Sequence, residues 1–145
     1  MTDFIVRLRV RYGECDAQGI VFNARWGDYV DVATTEYTRA LFGGGLDNEI
    51  DMRLVKQTTE WHAPARYDDI LDVAVRTVRV GTTSFTLGTR FSRDTVHLAD
   101  SETVYVVIDL QAGTKRAIPD RYRSGLERGA PNIVIDQSGQ TGGVR

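Results

Sequence analysis

The segment RYGECDAQGIVFNARWGDYVD, Arg11 to Asp31, decides how this chain is read, because the apolar period changes inside it. Before it, Phe4, Val6, Leu8 and Val10 alternate with Arg7, Arg9 and Arg11, the pattern of a half-buried strand over residues 4–12. After it, Trp26, Tyr29, Val30, Ala33, Tyr37, Ala40 and Leu41 recur at three- and four-residue spacing, which predicts a helix over residues 23–42. Asn23 is placed to cap that helix, and Gly43, Gly44 and Gly45 stop it. Between strand and helix, Gly13 and Gly19 bracket a turn that carries Asp16, with Ile20, Val21 and Phe22 behind it. A carboxylate is therefore expected between a strand end and a helix start, flanked by bulky apolar residues.

Downstream of Gly45 the pattern is that of strands as far as Pro119. MRLVKQTTEWHAPARY is strand-rich, with Pro64 marking a bulge or an edge near its end. DILDVAVRTVRVG alternates Leu71, Val73 and Val75 against Asp72, Ala74 and Arg76. TSFTLGTRFSRD follows a tight turn at Gly81, and VHLADSETVYVVIDL follows a turn near Asp94. Residues 119–128 form a short closing helix, with Pro119 near its first turn. One helix cannot bury an apolar stripe alone, so the sheet is expected to curl around it in a two-layer α+β domain. That gives an antiparallel sheet of about five strands around one long central helix. Residues 1–128 make the domain and residues 129–145 a partly loose tail, of which 137–145 should not support the fold.

The chain has 145 residues, enough for one domain and one core. A net charge of −2 gives no general attraction to nucleic acid or to an anionic membrane. Of 18 cationic residues, Lys56 and Lys115 are the lysines, and Arg suits phosphate geometrically. The single Cys15 excludes an internal disulfide and a Cys-based metal cluster and fits a reducing compartment. No Gly-x-Ser-x-Gly elbow accompanies His62 and His97. The spacing of those histidines supports no metal site: His62 should pack or hydrogen-bond within a strand, and His97 should be exposed near a turn. No run of about 18 apolar residues is present, and the first ten residues lack a signal-peptide layout. A cytoplasmic location is expected.

Three stretches resemble the hotdog-fold acyl-CoA thioesterases, and most closely their 4-hydroxybenzoyl-CoA thioesterase-like branch. YGECDAQGIVF looks like the Asp-x-x-Gly-(Ile/Val)-Val-aromatic signature before the central helix. PARYDDIL, residues 64–71, is similar to a Pro-x-Arg-Tyr-Gly-Asp segment, with Asp68 in place of the usual Gly. IPDRYRSGL, residues 118–126, resembles the Ile-Pro entry to a terminal helix. The chain departs from that pattern at Asn23, Arg25 and Trp26, positions that flank the acyl pocket in the resemblance.

The resemblance implies hydrolysis of an acyl-CoA to a carboxylic acid and free coenzyme A, which is substrate rather than cofactor. It gives Asp16 the catalytic role, as general base or nucleophile. Thioester hydrolysis also needs a donor for the developing oxyanion. The helix start at Phe22, Asn23 and Ala24 offers free N–H groups at a positive dipole end, and one such donor is typically worth about 2.7–4 kcal/mol. A turn-forming Asp bonded to local N–H groups is the alternative for Asp16, and Glu14 is expected to be an exposed loop acid. Gly19 would let the loop turn tightly around the thioester. Trp26, Tyr29 and Trp61 could line an acyl pocket or simply pack in the core. Thr82, Thr83 and Ser84 form a hairpin turn that, in the resemblance, borders the pantetheine arm. Arg76, Arg79, Arg90, Arg116, Arg121 and Arg123 are candidates for the nucleotide phosphates.

The resemblance further implies a homodimer with a shared active site, often doubled into a homotetramer. A dehydratase on this fold would need a His near the helix start, where this chain has none. A non-catalytic acyl-CoA or acyl-carrier-protein binding module is the second reading, and Asp16 discriminates against it, because a binder needs no carboxylate beside the thioester.

Overall fold

A computed structural model describes residues 3–44, 46 and 49–140. Strand β1 spans Phe4–Arg9, helix α1 Trp26–Phe42, β2 Ile50–Trp61, β3 Ile70–Val80, β4 Ser84–Arg93, β5 Val96–Asp109, helix α2 Asp120–Arg128 and β6 Ile133–Asp136. The six strands form one sheet in the order β2-β5-β4-β3-β1-β6. All pairs are antiparallel except β1 with β6, which run parallel. Bulges interrupt β2 between Leu54 and Lys56, and β3 between Thr77 and Arg79.

The alternation in β1 does what its pattern dictates. Phe4, Val6 and Leu8 are buried, while Ile5, Arg7 and Arg9 on the other face are half-exposed. Leu71, Val73 and Val75 of β3 and Phe85, Leu87 and Phe91 of β4 extend the same apolar face. Helix α1 lies across β1, β3 and β4 and buries Trp26, Tyr29, Val30, Ala33, Tyr37 and Leu41. The larger of these side chains, such as Val30 and Leu41, each contribute about 1.5–3 kcal/mol by leaving water. Trp26 meets Phe91 edge-on at 5.1 Å, and Tyr37 meets Phe4 at 5.2 Å. Ala40, on the expected stripe, is exposed. Thr34 is buried instead, its hydroxyl satisfied by donating to the Val30 carbonyl at 2.8 Å. Gly43 ends α1 in a left-handed conformation, φ 70°; Gly45 lies outside the described residues.

Two expectations change. Asn23 is not the cap of α1: Asn23–Arg25 is a 3₁₀ turn, with Phe22 before it, that leads into the helix at Trp26. The tail contains a sixth strand. Its outer position on β1 is locked beyond the strand itself, where Gln137 donates its N–H to the Arg7 carbonyl at 2.8 Å. The Arg9 guanidinium donates to the carbonyl of Ser138, also at 2.8 Å, and Ser138 is buried. Residues 141–145 of the expected loose segment lie outside the described residues.

Candidate active site

The Asp16 loop is a miniature hairpin. Cys15 bridges Val21, and the Asp16 N–H donates to the Ile20 carbonyl at 2.9 Å. The Gly19 N–H closes the turn on the Asp16 carbonyl at 3.0 Å, and Gly19 adopts φ 76°, which its missing Cβ permits. The Asp16 carboxylate accepts the Gln18 N–H at 2.8 Å through one oxygen. This is the local Asx turn that a structural Asp would make, and it leaves the second oxygen outside that bond.

The helix start lies directly after this hairpin. The Phe22 N–H is committed to the Glu14 carbonyl at 2.9 Å. Arg25 makes the first helical bond, to the Phe22 carbonyl at 2.8 Å. The N–H groups of Asn23 and Ala24 precede that bond and stand at the helix entrance. Of the three donors expected there, Phe22 is thus taken out by the hairpin.

Glu14 corrects the expectation of an exposed acid. It is 6% exposed and is the anchor of the loop. One carboxylate oxygen accepts the Arg11 N–H at 2.7 Å and the Tyr29 hydroxyl at 2.8 Å. The other accepts two guanidinium bonds from Arg11, at 3.0 and 2.8 Å. Burial alone would raise the Glu14 carboxyl, but the bonds from Arg11 and Tyr29 outweigh it and hold the group below the ordinary glutamate range. The same burial, with Glu14 as acceptor, pushes the Tyr29 hydroxyl far up, so Tyr29 is a neutral donor. The Arg11-x-x-Glu14 spacing is the sequence trace of this clamp, but without Tyr29 in place it looks like a surface pair.

The remaining candidates separate. Trp26 and Tyr29 are buried in the core against Phe91. Phe22 is 48% and Trp61 49% exposed. Trp61 ends β2 beside the segment that braces the hairpin, where Val21 donates to the Ala65 carbonyl at 2.8 Å and Ile20 bridges Arg66. Thr82, Thr83 and Ser84 lie at the other end of the sheet. Arg9 of β1 pairs with Ile70, the first residue of β3, whereas the turn follows Val80, the last. At about 3.3 Å per residue, β3 keeps the two ends roughly 30 Å apart. The turn's carbonyls are spent on the scaffold: Thr83 accepts Val107 N–H and Thr82 accepts Ile118 N–H, both at 2.9 Å. Of the arginine candidates, Arg123 donates to the Gly81 carbonyl at 2.6 Å and Arg90 pairs with Asp100.

Asp68, where the resemblance expects Gly, has φ 70°. That position demands a left-handed backbone, which Asp tolerates better than most side chains. Its carboxylate reaches the Arg9 guanidinium at 2.8 Å. The two histidines, which sequence spacing kept apart, are brought together. Antiparallel pairing sets Trp61 opposite Ala99, so His62 follows beside the start of β5 and its ring lies 4.5 Å from that of His97.

Comparison with known proteins agrees with this architecture. The family model described as the thioesterase-like superfamily matches residues 10–126, and the chain belongs to that superfamily. A 1,4-dihydroxy-2-naphthoyl-CoA hydrolase from Prochlorococcus marinus is 21% identical over 139 residues, covering 89% of this chain and 91% of the relative. An acyl-CoA thioester hydrolase, YbgC, from Escherichia coli is 28% identical over 120 residues, covering 77% of this chain and 87% of the relative. The crystal structure of a hypothetical protein from Aquifex aeolicus superimposes with a TM-score of 0.78 at 25% identity, over 85% of this chain and 98% of that one. The sheet around one long helix is the hotdog arrangement that the resemblance implied. No helix among the described residues is long and apolar enough to cross a membrane.

Proposed function

We propose that the chain hydrolyses an acyl-CoA, with Asp16 as general base or nucleophile and the N–H groups of Asn23 and Ala24 as oxyanion donors. One observation carries this reading: a carboxylate on a rigid hairpin immediately before an uncapped helix entrance. That pairs a proton acceptor with a donor for developing negative charge, the two groups thioester hydrolysis requires. The names of the Prochlorococcus and E. coli relatives support the substrate class. Coenzyme A enters as part of the substrate, and the chemistry calls for no cofactor.

The functional unit is a dimer built on β2. This strand is an outer edge of the sheet and exposes Leu54, Val55 and Trp61, the kind of edge that proteins cover. Antiparallel pairing of two copies of β2 about a two-fold axis sets the Asp16 end of one sheet beside the Thr82–Ser84 end of the other. That supports a site in which one copy supplies Asp16 and the second borders the pantetheine arm.

The test is Asp16→Asn, which keeps shape and turn bonding but removes the charge. On a thiol-release panel of aryl and aliphatic acyl-CoAs, kcat on the best substrate is expected to fall by about 10²–10⁴. KM and melting temperature should change little, because the loss falls on the transition state. Near wild-type turnover in this variant would end the assignment and favour a binding module.

A further inference from the structure

Outside the Asp16 loop, three side chains with metal-ligand chemistry converge on the sheet. His62 follows β2, and His97 and Asp100 belong to β5. Their ligand atoms all lie within 4.8 Å of one another. The Nε2 of His97 is 2.8 Å from Oδ2 of Asp100, and the Nε2 of His62 is 3.5 Å from the same oxygen. Ligands bound tetrahedrally at about 2.0–2.1 Å lie roughly 3.3 Å apart. The His62–Asp100 separation matches that value, and the His97–Asp100 contact would need to open by about half an ångström.

Three details bear on this cluster as a cation site. The Nε2 of His97 is buried and, although 2.8 Å from Asp100, meets no hydrogen-bond geometry, so it is left without a partner that satisfies it. Oδ1 of Asp100 is held by the Arg90 guanidinium at 3.1 Å, which orients the carboxylate and leaves Oδ2 to the two imidazoles. The His62 ring is positioned by its backbone, since the N–H groups of His62 and Ala63 both donate to the Leu98 carbonyl, at 2.7 and 3.1 Å.

We propose that His62, His97 and Asp100 form a binding site for one divalent transition-metal ion of the zinc class. Two imidazoles and one carboxylate suit zinc, nickel or copper, and are poorly matched to magnesium or calcium, which prefer all-oxygen shells. The bound ion staples the end of β2 to the start of β5. The next residues, Ala65 and Arg66, brace the Asp16 hairpin, so the staple secures the support of the catalytic loop without touching the reacting atoms.

The experiment is calorimetric titration of tag-free full-length protein with zinc chloride, together with melting temperatures with and without zinc. Wild type is expected to bind one ion per chain saturably and to melt higher with zinc present. His62→Ala and His97→Ala should each weaken binding by more than the about 10–100-fold that loss of an outer-shell partner costs, and should lose the thermal shift. Both replace half-exposed side chains, so folding is retained and is checked by the zinc-free melting temperature. Absence of saturable binding in wild type, undiminished binding in both variants, or equal binding of magnesium would each overturn the proposal.

Discussion

Glu14 joins the two pieces of chain that the proposed site needs in register. Through Arg11 it fixes the start of the loop, and through Tyr29 it fixes the first turn of α1. Glu14→Gln removes the charge from a buried cluster of charge-assisted bonds, at a cost of about 1–3 kcal/mol. A melting temperature lower by several degrees and a reduced kcat with little change in KM are expected, because the hairpin would lose its anchor. The pH dependence has a fixed sign. The folded-state pKa of Glu14 is depressed, so its stabilisation is fully present above the ordinary value near 4.5 and is lost as pH falls through the folded value. Acid titration of the melting temperature should therefore be steeper below pH 4.5 in wild type than in the Gln variant. At Asp68 two small effects oppose each other. Asp68→Gly relieves a left-handed residue, a strain of about 1–2 kcal/mol, and loses a half-exposed ion pair to Arg9 worth about 0–1 kcal/mol. The melting temperature should hold or rise slightly, whereas Asp68→Val should lower it. Asp16 and Gly19 were legible in sequence because a turn's chemistry is local. The burial of Glu14 was not, because it depends on a tyrosine fifteen residues away arriving above it.

At the scale of elements, β1 through β5 were readable because each runs long enough to show its period, and α1 because its stripe is broad. The start of α1 was misplaced by three residues, since Asn23 has the composition of a cap but sits in a 3₁₀ turn. The four residues of β6 were missed for a different reason. IVID is too short to display a period, and its partner is at the opposite end of the chain, pairing Ile133 with Phe4. Chains ended after Asp136 and after Asn132 separate the two contributions. The first loses the Gln137 and Ser138 bonds to β1 and should melt a few degrees lower. The second also strips the outer partner from β1, and a larger fall is expected. Equal melting of both with the full chain would show that β6 does not support the sheet.

For the whole molecule, the proposed shared site would make assembly a condition of activity, because the Asp16 hairpin and the Thr82–Ser84 turn lie at opposite ends of one sheet. Sedimentation at micromolar concentration should show no stable 16.2 kDa species. Leu54→Asp with Val55→Asp places two charges on the exposed run of β2 and should yield that species, with thiol release falling in parallel. A fully active monomer would contradict the shared site. The resemblance implied a shared site, but the spacing of residues alone could not show the separation behind it, which exists only once the antiparallel order sends the two turns to opposite ends of one sheet.

The two margins of the sheet are unequal: β2 runs for twelve residues, while β6 runs for four and is followed by residues that continue alongside β1. For the proposed pairing through β2, the chain would be in effect monovalent. A copy docked through β2 would use its long free margin and would present no margin of equal length to a third, so edge pairing of this kind would end at a closed pair. Removing β6 would expose β1 and raise the valency to two, turning a self-limiting assembly into one able to propagate as a fibre. On this view the last short strand would limit how many copies the proposed edge pairing can join.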